Sequence, residues 1–289
     1  MASKKNEVAV SENKKELAIA SGSQLPAFMQ QDSGKGLENM RAEDMATPRL
    51  ILMQATSKEL TKNNKLSAGD FFHSATEEIF DKPLLVTPIY YDRRYILWNP
   101  RDSGGGILAR SDDGVNWSPP DAKFEVKLDK KDGGHKVTWV TKKTVAASGL
   151  AEWGSMNPND PQSPPAATLM HNFVFAFPDD PDRMPAVFTF QRSLVTEGRK
   201  FLTRLKAQRA PMFGTIFELS STDETKGDNQ FKGVALVGKG LIADDDLYQR
   251  FKDLNKTFSE LGMKIKAEED LADDTTGSNE TDVGGPSKY

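Results

Sequence analysis

The sequence predicts a mainly β chain with two helices, folded as an antiparallel barrel or sandwich. Three observations lead there. The apolar runs are strand-sized, Gly, Pro, Asn and Asp turn signals separate them, and only two stretches carry helical spacing.

The elements follow in order. Residues 48–53 read as a first strand, and Phe71-Phe72 after Gly69-Asp70 as a second. Residues 84–91 and 95–98 flank Asp92-Arg93-Arg94, which reads as a hairpin with both arginines at its tip. Residues 124–128 and 135–140 flank Lys130-Lys131-Asp132-Gly133-Gly134, a second hairpin with stronger turn chemistry. Residues 99–121 and 154–165 read as long polar loops inserted over one face. Residues 172–177 and 186–190 are aromatic strands joined by the turn Asp179-Asp180-Pro181-Asp182. Phe173, Phe175 and Phe177 share one strand face, as do Phe188 and Phe190, and such stripes are expected in the core. A helix over about 194–208 gathers Leu194, Phe201, Leu202 and Leu205 on one side. Residues 213–219 and 231–237 form a last strand pair.

The final helix, residues 244–261, is amphipathic. It carries Leu247, Phe251, Leu254, Phe258 and Leu261 as one stripe, with Asp244, Asp245 and Asp246 at its N-terminus. That stripe is expected to pack on its own barrel, with a homodimer seam as the alternative.

Composition narrows the chemistry. The chain has 289 residues, a net charge of −4, no cysteine and three histidines, so disulfides, thiolate metal sites and a cysteine nucleophile are excluded. His73, His135 and His171 are not at metal-ligand spacing to one another. Gly104-Gly105-Gly106 lacks the Lys-Ser/Thr ending of a phosphate loop. No signal peptide or membrane span is expected. The expectation is a binding protein rather than an enzyme, without cofactor. A weak nuclease signal remains in Glu125-Val126-Lys127, downstream of Asp112, Asp113 and Asp121.

The charge pattern points to single-stranded nucleic acid. Arg192, Arg199, Lys200, Arg204, Lys206 and Arg209 face a single acid, Glu197, in the 192–209 segment. A solvated helix face usually mixes signs. Tyr91, Tyr95 and Trp98 are the candidate stacking rings, and Arg93, Arg94, Arg192, Arg199, Lys200, Arg204 and Lys206 the candidate phosphate contacts. Residues 1–40 read as a disordered polar arm with an apolar island, Leu25-Pro26-Ala27-Phe28-Met29, that either docks elsewhere or patches the core. From Ala267 the chain is acidic and reads as a disordered tail.

Several motifs together resemble a known group. They are Pro48-Arg49-Leu50-Ile51-Leu52-Met53-Gln54, Gly69-Asp70-Phe71-Phe72, Val86-Thr87-Pro88-Ile89-Tyr90-Tyr91 with Trp98, Phe188-Thr189-Phe190, Arg199-Lys200, Pro211-Met212-Phe213 and Phe217-Glu218-Leu219. In this order they resemble tailed-bacteriophage single-stranded-DNA-binding proteins of the OB-fold type. The resemblance implies an OB-like barrel with long loop insertions over residues 41–262, between a disordered arm (1–40) and a disordered acidic tail (263–289). It also implies binding of single-stranded DNA during phage replication and recombination in the host cytoplasm, with replication or recombination proteins as partners of the tail. One departure is that Gly-Gly-Pro-Ser-Lys stands between the last acid, Asp282, and Tyr289, whereas such tails place an aromatic directly after the acids. The alternatives are a phage structural or host-interaction protein and, more remotely, the metal-dependent nuclease.

Overall fold

The structure, a computed structural model, describes Lys35, residues 47–226 and residues 229–261. The expected N-terminal arm, its island at Phe28 and the acidic tail lie outside the described residues. The described part is mainly β, with antiparallel ladders and four α-helices.

The spine is β4 (Leu84–Trp98), a single 15-residue strand. The expected hairpin with Arg93 and Arg94 at its tip does not form. Asp92 is the one turn-favouring residue of the three, no Gly, Asn or Pro stands beside it, and the strand runs straight through. Along one edge β4 pairs with β8 (Ala167–Ala176), from Thr87↔Ala176 to Leu97↔Ala167. The other edge is shared: β10 (Thr215–Lys226) takes Leu84–Val86, and β5 (Ile107–Ser111) takes Tyr95–Trp98. β5 lies inside the segment expected to be a loop. β9 (Ala186–Gln191) and β11 (Asn229–Leu241) complete the order β11-β10-β4-β8-β9.

A second sheet joins β1 (Leu50–Leu52), β2 (Phe71–His73) and β3 (Ile79–Phe80). The helix α1 (Glu59–Lys62) lies between its first two strands. Among the described residues, the two sheets do not close into a barrel. β1 meets β9 through an isolated Arg49–Val187 bridge. Beyond β1, the Gln54 side chain donates to the Lys232 carbonyl and accepts from the Lys232 N–H, both at 2.9 Å. Strands of two and three residues are too short to supply closing ladders, so a side-chain amide takes the place of a strand. The closed OB-like barrel is therefore replaced by open sheets.

β8 is buried on both faces. Phe173 and Phe175 point one way with Phe188, Phe190 and Phe217, toward the main core shared with Leu50, Leu52, Phe71 and Phe80. Helix α3 (Val195–Gln208) closes that core through Phe201, whose ring lies 4.9 Å from Phe173 and 4.8 Å from Phe217. Val174 and Ala176 point the other way, and α4 (Asp245–Leu261) covers them with Phe251, Leu247, Leu254 and Phe258. The helical stripe thus packs on the chain's own sheet. The Asp244 carboxylate caps that helix by accepting from the Leu247 N–H at 2.8 Å.

A satellite core lies past the C-terminal end of β4. The hairpin β6 (Lys123–Lys127) and β7 (Lys136–Val140) forms as expected, and the helix α2 (Val145–Ser148) follows it. Val126, Val137 and Trp139 pack there with Leu97, Trp117 and Leu150. The acidic 179–182 turn is also present, and its carboxylates are engaged. Asp179 and Asp180 lie within 4 Å of Arg183 (3.8 and 3.4 Å), and Asp182 binds Arg250 at 2.7 Å. Arg183 also makes two hydrogen bonds to Glu78 and lies 5.2 Å from the Phe80 ring centroid.

Candidate functional site

Strand alternation divides the expected site residues of β4. Tyr91, Arg93 and Tyr95 face the side on which α3 packs, while Arg94 and Trp98 face the opposite side. On that opposite side Arg94 is buried, and its guanidinium binds Asp92 at 2.9 Å and approaches Asp112 at 3.7 Å. Asp92 accepts from the Asn172 amide, and Asn172 accepts from Thr189. Burial pushes the Asp92 carboxyl up, and Arg94 opposes that shift. Arg94 is thus committed to a buried polar chain that crosses three strands. Trp98 packs against Ile96, Met170 and Ile107.

On the α3 side the pieces converge on His171. Arg93 pairs across the ladder with His171, and Tyr91 with Phe173. The Tyr91 hydroxyl and His171 Nδ1 share a hydrogen bond of 2.9 Å, and their rings stack with centroids 5.9 Å apart. Gly198 on α3 faces His171 and Phe190. A Cβ there would stand 2.8 Å from Phe190 Cβ and 3.3 Å from His171 Cδ2, so only glycine lets the helix sit this low. The next residue, Arg199, is exposed on the helix turn that carries this glycine. Burial first, and then the charges of Arg199 and Arg93, push the His171 pKa down to about 4.

A loop fixes Arg93 from outside. Its guanidinium donates to the Gly114 carbonyl at 3.2 Å and lies 5.5 Å from the Tyr95 ring centroid. Gly114 has φ 69°, and a Cβ there would meet the Arg93 carbonyl oxygen at 2.8 Å. Asp113 organises this loop by accepting from the Val115 and Asn116 N–H groups, both at 2.7 Å. Burial alone would raise the Asp113 pKa, but these bonds hold it down at about 2.

The other helical cations spread along α3 and its entry. Arg192, in the 3-10 turn before the helix, is exposed with φ 53°. Lys200 pairs with Glu197, one turn away. Arg204 reaches across to the edge strand β11 and donates to the Leu236 carbonyl there. Lys206 is exposed near the helix end. The structure therefore sets Tyr91, Arg93 and Tyr95 on one strand face, places Arg199 beside the glycine that packs on His171, carries Arg204 to β11, and turns Arg94 and Trp98 away. Glu125, the acid of the nuclease reading, stands exposed on β6 opposite Thr138.

Sequence reasoning missed His171, noting only that it is not at metal-ligand spacing to the other histidines. The available signal was its position two residues before Phe173, on the strand face that meets the basic helix. The buried imidazole also sets a pH dependence. Its folded pKa lies below the unfolded value, so the unfolded chain binds more protons between about pH 4 and pH 6.5, and stability falls as the pH drops through that window. Denaturant titrations should show a loss of about 2 kcal/mol from this group between about pH 7.5 and about pH 5. His171→Gln should remove most of that loss; an unchanged pH profile in the variant would contradict the assignment.

Among the described residues, no helix is long and apolar enough to cross a membrane. No curated protein and no solved structure matches the chain. Residues 15–264, however, match the family model described as Pam3 phage gp34-like protein. With most of its length inside that match, the chain belongs to this bacteriophage protein family.

Proposed function

We propose that the chain binds single-stranded DNA with little sequence preference, as a phage replication or recombination factor acting in the host cytoplasm without catalysis of its own. One observation supports this reading above the others. Arg93 is the ladder partner of His171, and Arg199, 106 positions later in sequence, follows Gly198, which packs on the same buried imidazole beside Tyr91. Cations on neighbouring elements repel, and a phosphate bound between them relieves the repulsion. Arg192 and Lys206 extend the positive surface along α3.

Tyr91 and Tyr95 are half-buried, so stacking in this reading is partial and phosphate pairing dominates. The acidic tail is then the contact for replication or recombination proteins. The test is fluorescence anisotropy of a labelled oligothymidylate over a salt series. Binding at low salt should weaken steeply and log-linearly with salt, by roughly 0.7 log units per phosphate contact for each decade of salt. Absence of binding at about 20 mM salt, below the range where counterion release suppresses such contacts, would sink the proposal.

A further inference from the structure

Residues 123–143 carry seven lysines against three acids, in a chain whose net charge is −4. Alternation sends Val126, Val137 and Trp139 into the satellite core and leaves Lys123, Glu125 and Lys127 on the outer face of β6, with Lys136 and Thr138 on that of β7. The register sets Lys127 directly opposite Lys136, both exposed. Like charges in that position destabilise a ladder. Glu125, which could have offset one of them, lies opposite Thr138 instead. Lys130 and Lys131 extend the patch at the turn, and Lys142 and Lys143 extend it beyond β7.

Lys142 is also held at φ 51°, a left-handed conformation that non-glycine residues seldom adopt, with its side chain exposed. None of the seven lysines forms an ion pair among the described residues. This face connects to the Arg93 loop. Thr144 bridges Asn116, the Val145 N–H donates to the Val115 carbonyl at 2.9 Å, and Gly114 next in line accepts from Arg93.

We infer that the outer lysine face of the β6–β7 hairpin is a second stretch of phosphate contact, taking the backbone of the same single strand after it leaves Arg93 and Arg199. This rests on the single-strand reading above. The chemistry recognised is the phosphodiester backbone alone, because Trp139 points inward and the outer hairpin face carries no ring. The strand bound is accordingly longer than the Arg93–Arg199 surface alone would cover.

The experiment compares short and long oligothymidylates, of about 8 and about 30 nucleotides, with the full chain. The variant Lys127→Gln/Lys136→Gln/Lys142→Gln/Lys143→Gln should keep wild-type affinity for the short strand. On the long strand it should lose about tenfold, with a salt slope shallower by roughly two to three. The matching Lys→Arg variant should bind both like wild type, which separates charge from damage to the hairpin. Equal binding of the long strand by wild type and the Gln variant overturns the lysine-face inference and leaves the Arg93–Arg199 reading standing. Failure of wild type to bind either strand overturns both.

Discussion

Phe201→Ala should cost about 4 kcal/mol of stability, the largest single-residue loss expected in α3. The ring is fully buried and is the only side chain of α3 that contacts four phenylalanines across β8, β9 and β10: Phe173, Phe175, Phe190 and Phe217. Truncation removes the transfer energy of the ring and leaves a cavity between rigid neighbours, and the two terms add. The same change should loosen the seat of Gly198 against Phe190 and His171, and with it the position of Arg199. Urea denaturation measures the stability; the His171 pKa, followed by NMR titration, measures the seat and should rise from about 4 toward its ordinary value. A loss under about 1 kcal/mol would mean that the helix is not held by this ring.

Arg94→Met should be nearly as damaging, at about 3 kcal/mol, for a different reason. It leaves the Asp92 carboxylate buried with only the Asn172 amide to satisfy it. Asp92 already titrates above its ordinary value because of burial, and removing the arginine raises it further. A carboxyl with a raised folded pKa binds a proton more readily in the folded state, so the deficit should be full at neutral pH and shrink as the pH falls through the folded pKa. Adding Asp92→Asn should recover much of the loss at neutral pH, since no charge is then stranded. If the single variant matched wild type across the pH range, the buried pair would have no energetic role.

These two positions also show how far the sequence could be read. Phe201 was legible because helical periodicity places it with Leu194, Leu202 and Leu205, and the stripe of α4 was legible for the same reason. The β6–β7 hairpin was legible from Lys-Asp-Gly-Gly, whose glycines take positive φ at 93° and 63°. Arg94 was not. Three consecutive polar residues look like a turn, and only the register shows that Asp92 and Arg94 neutralise each other on one face while Arg93 leaves by the other. β5 was hidden for a related reason: its five residues follow three glycines, and its strand character comes from pairing with β4. Long-range pairing also governs the candidate site. Arg93 and Arg199 lie in different elements, and the buried histidine that links them carries no local motif. The open sheets were equally illegible, because closure depends on how Gln54 and Arg49 meet distant strands.

The central claim is that Arg93 and Arg199 form one phosphate-binding surface. Its most direct test is a salt titration of oligothymidylate binding by the Arg93→Ala/Arg199→Ala double variant beside wild type, with circular dichroism confirming that both are folded. Loss of two phosphate contacts predicts weaker binding at every salt concentration and a log–log slope shallower by about 1.4. Affinity and slope equal to wild type in a folded double variant would contradict the account.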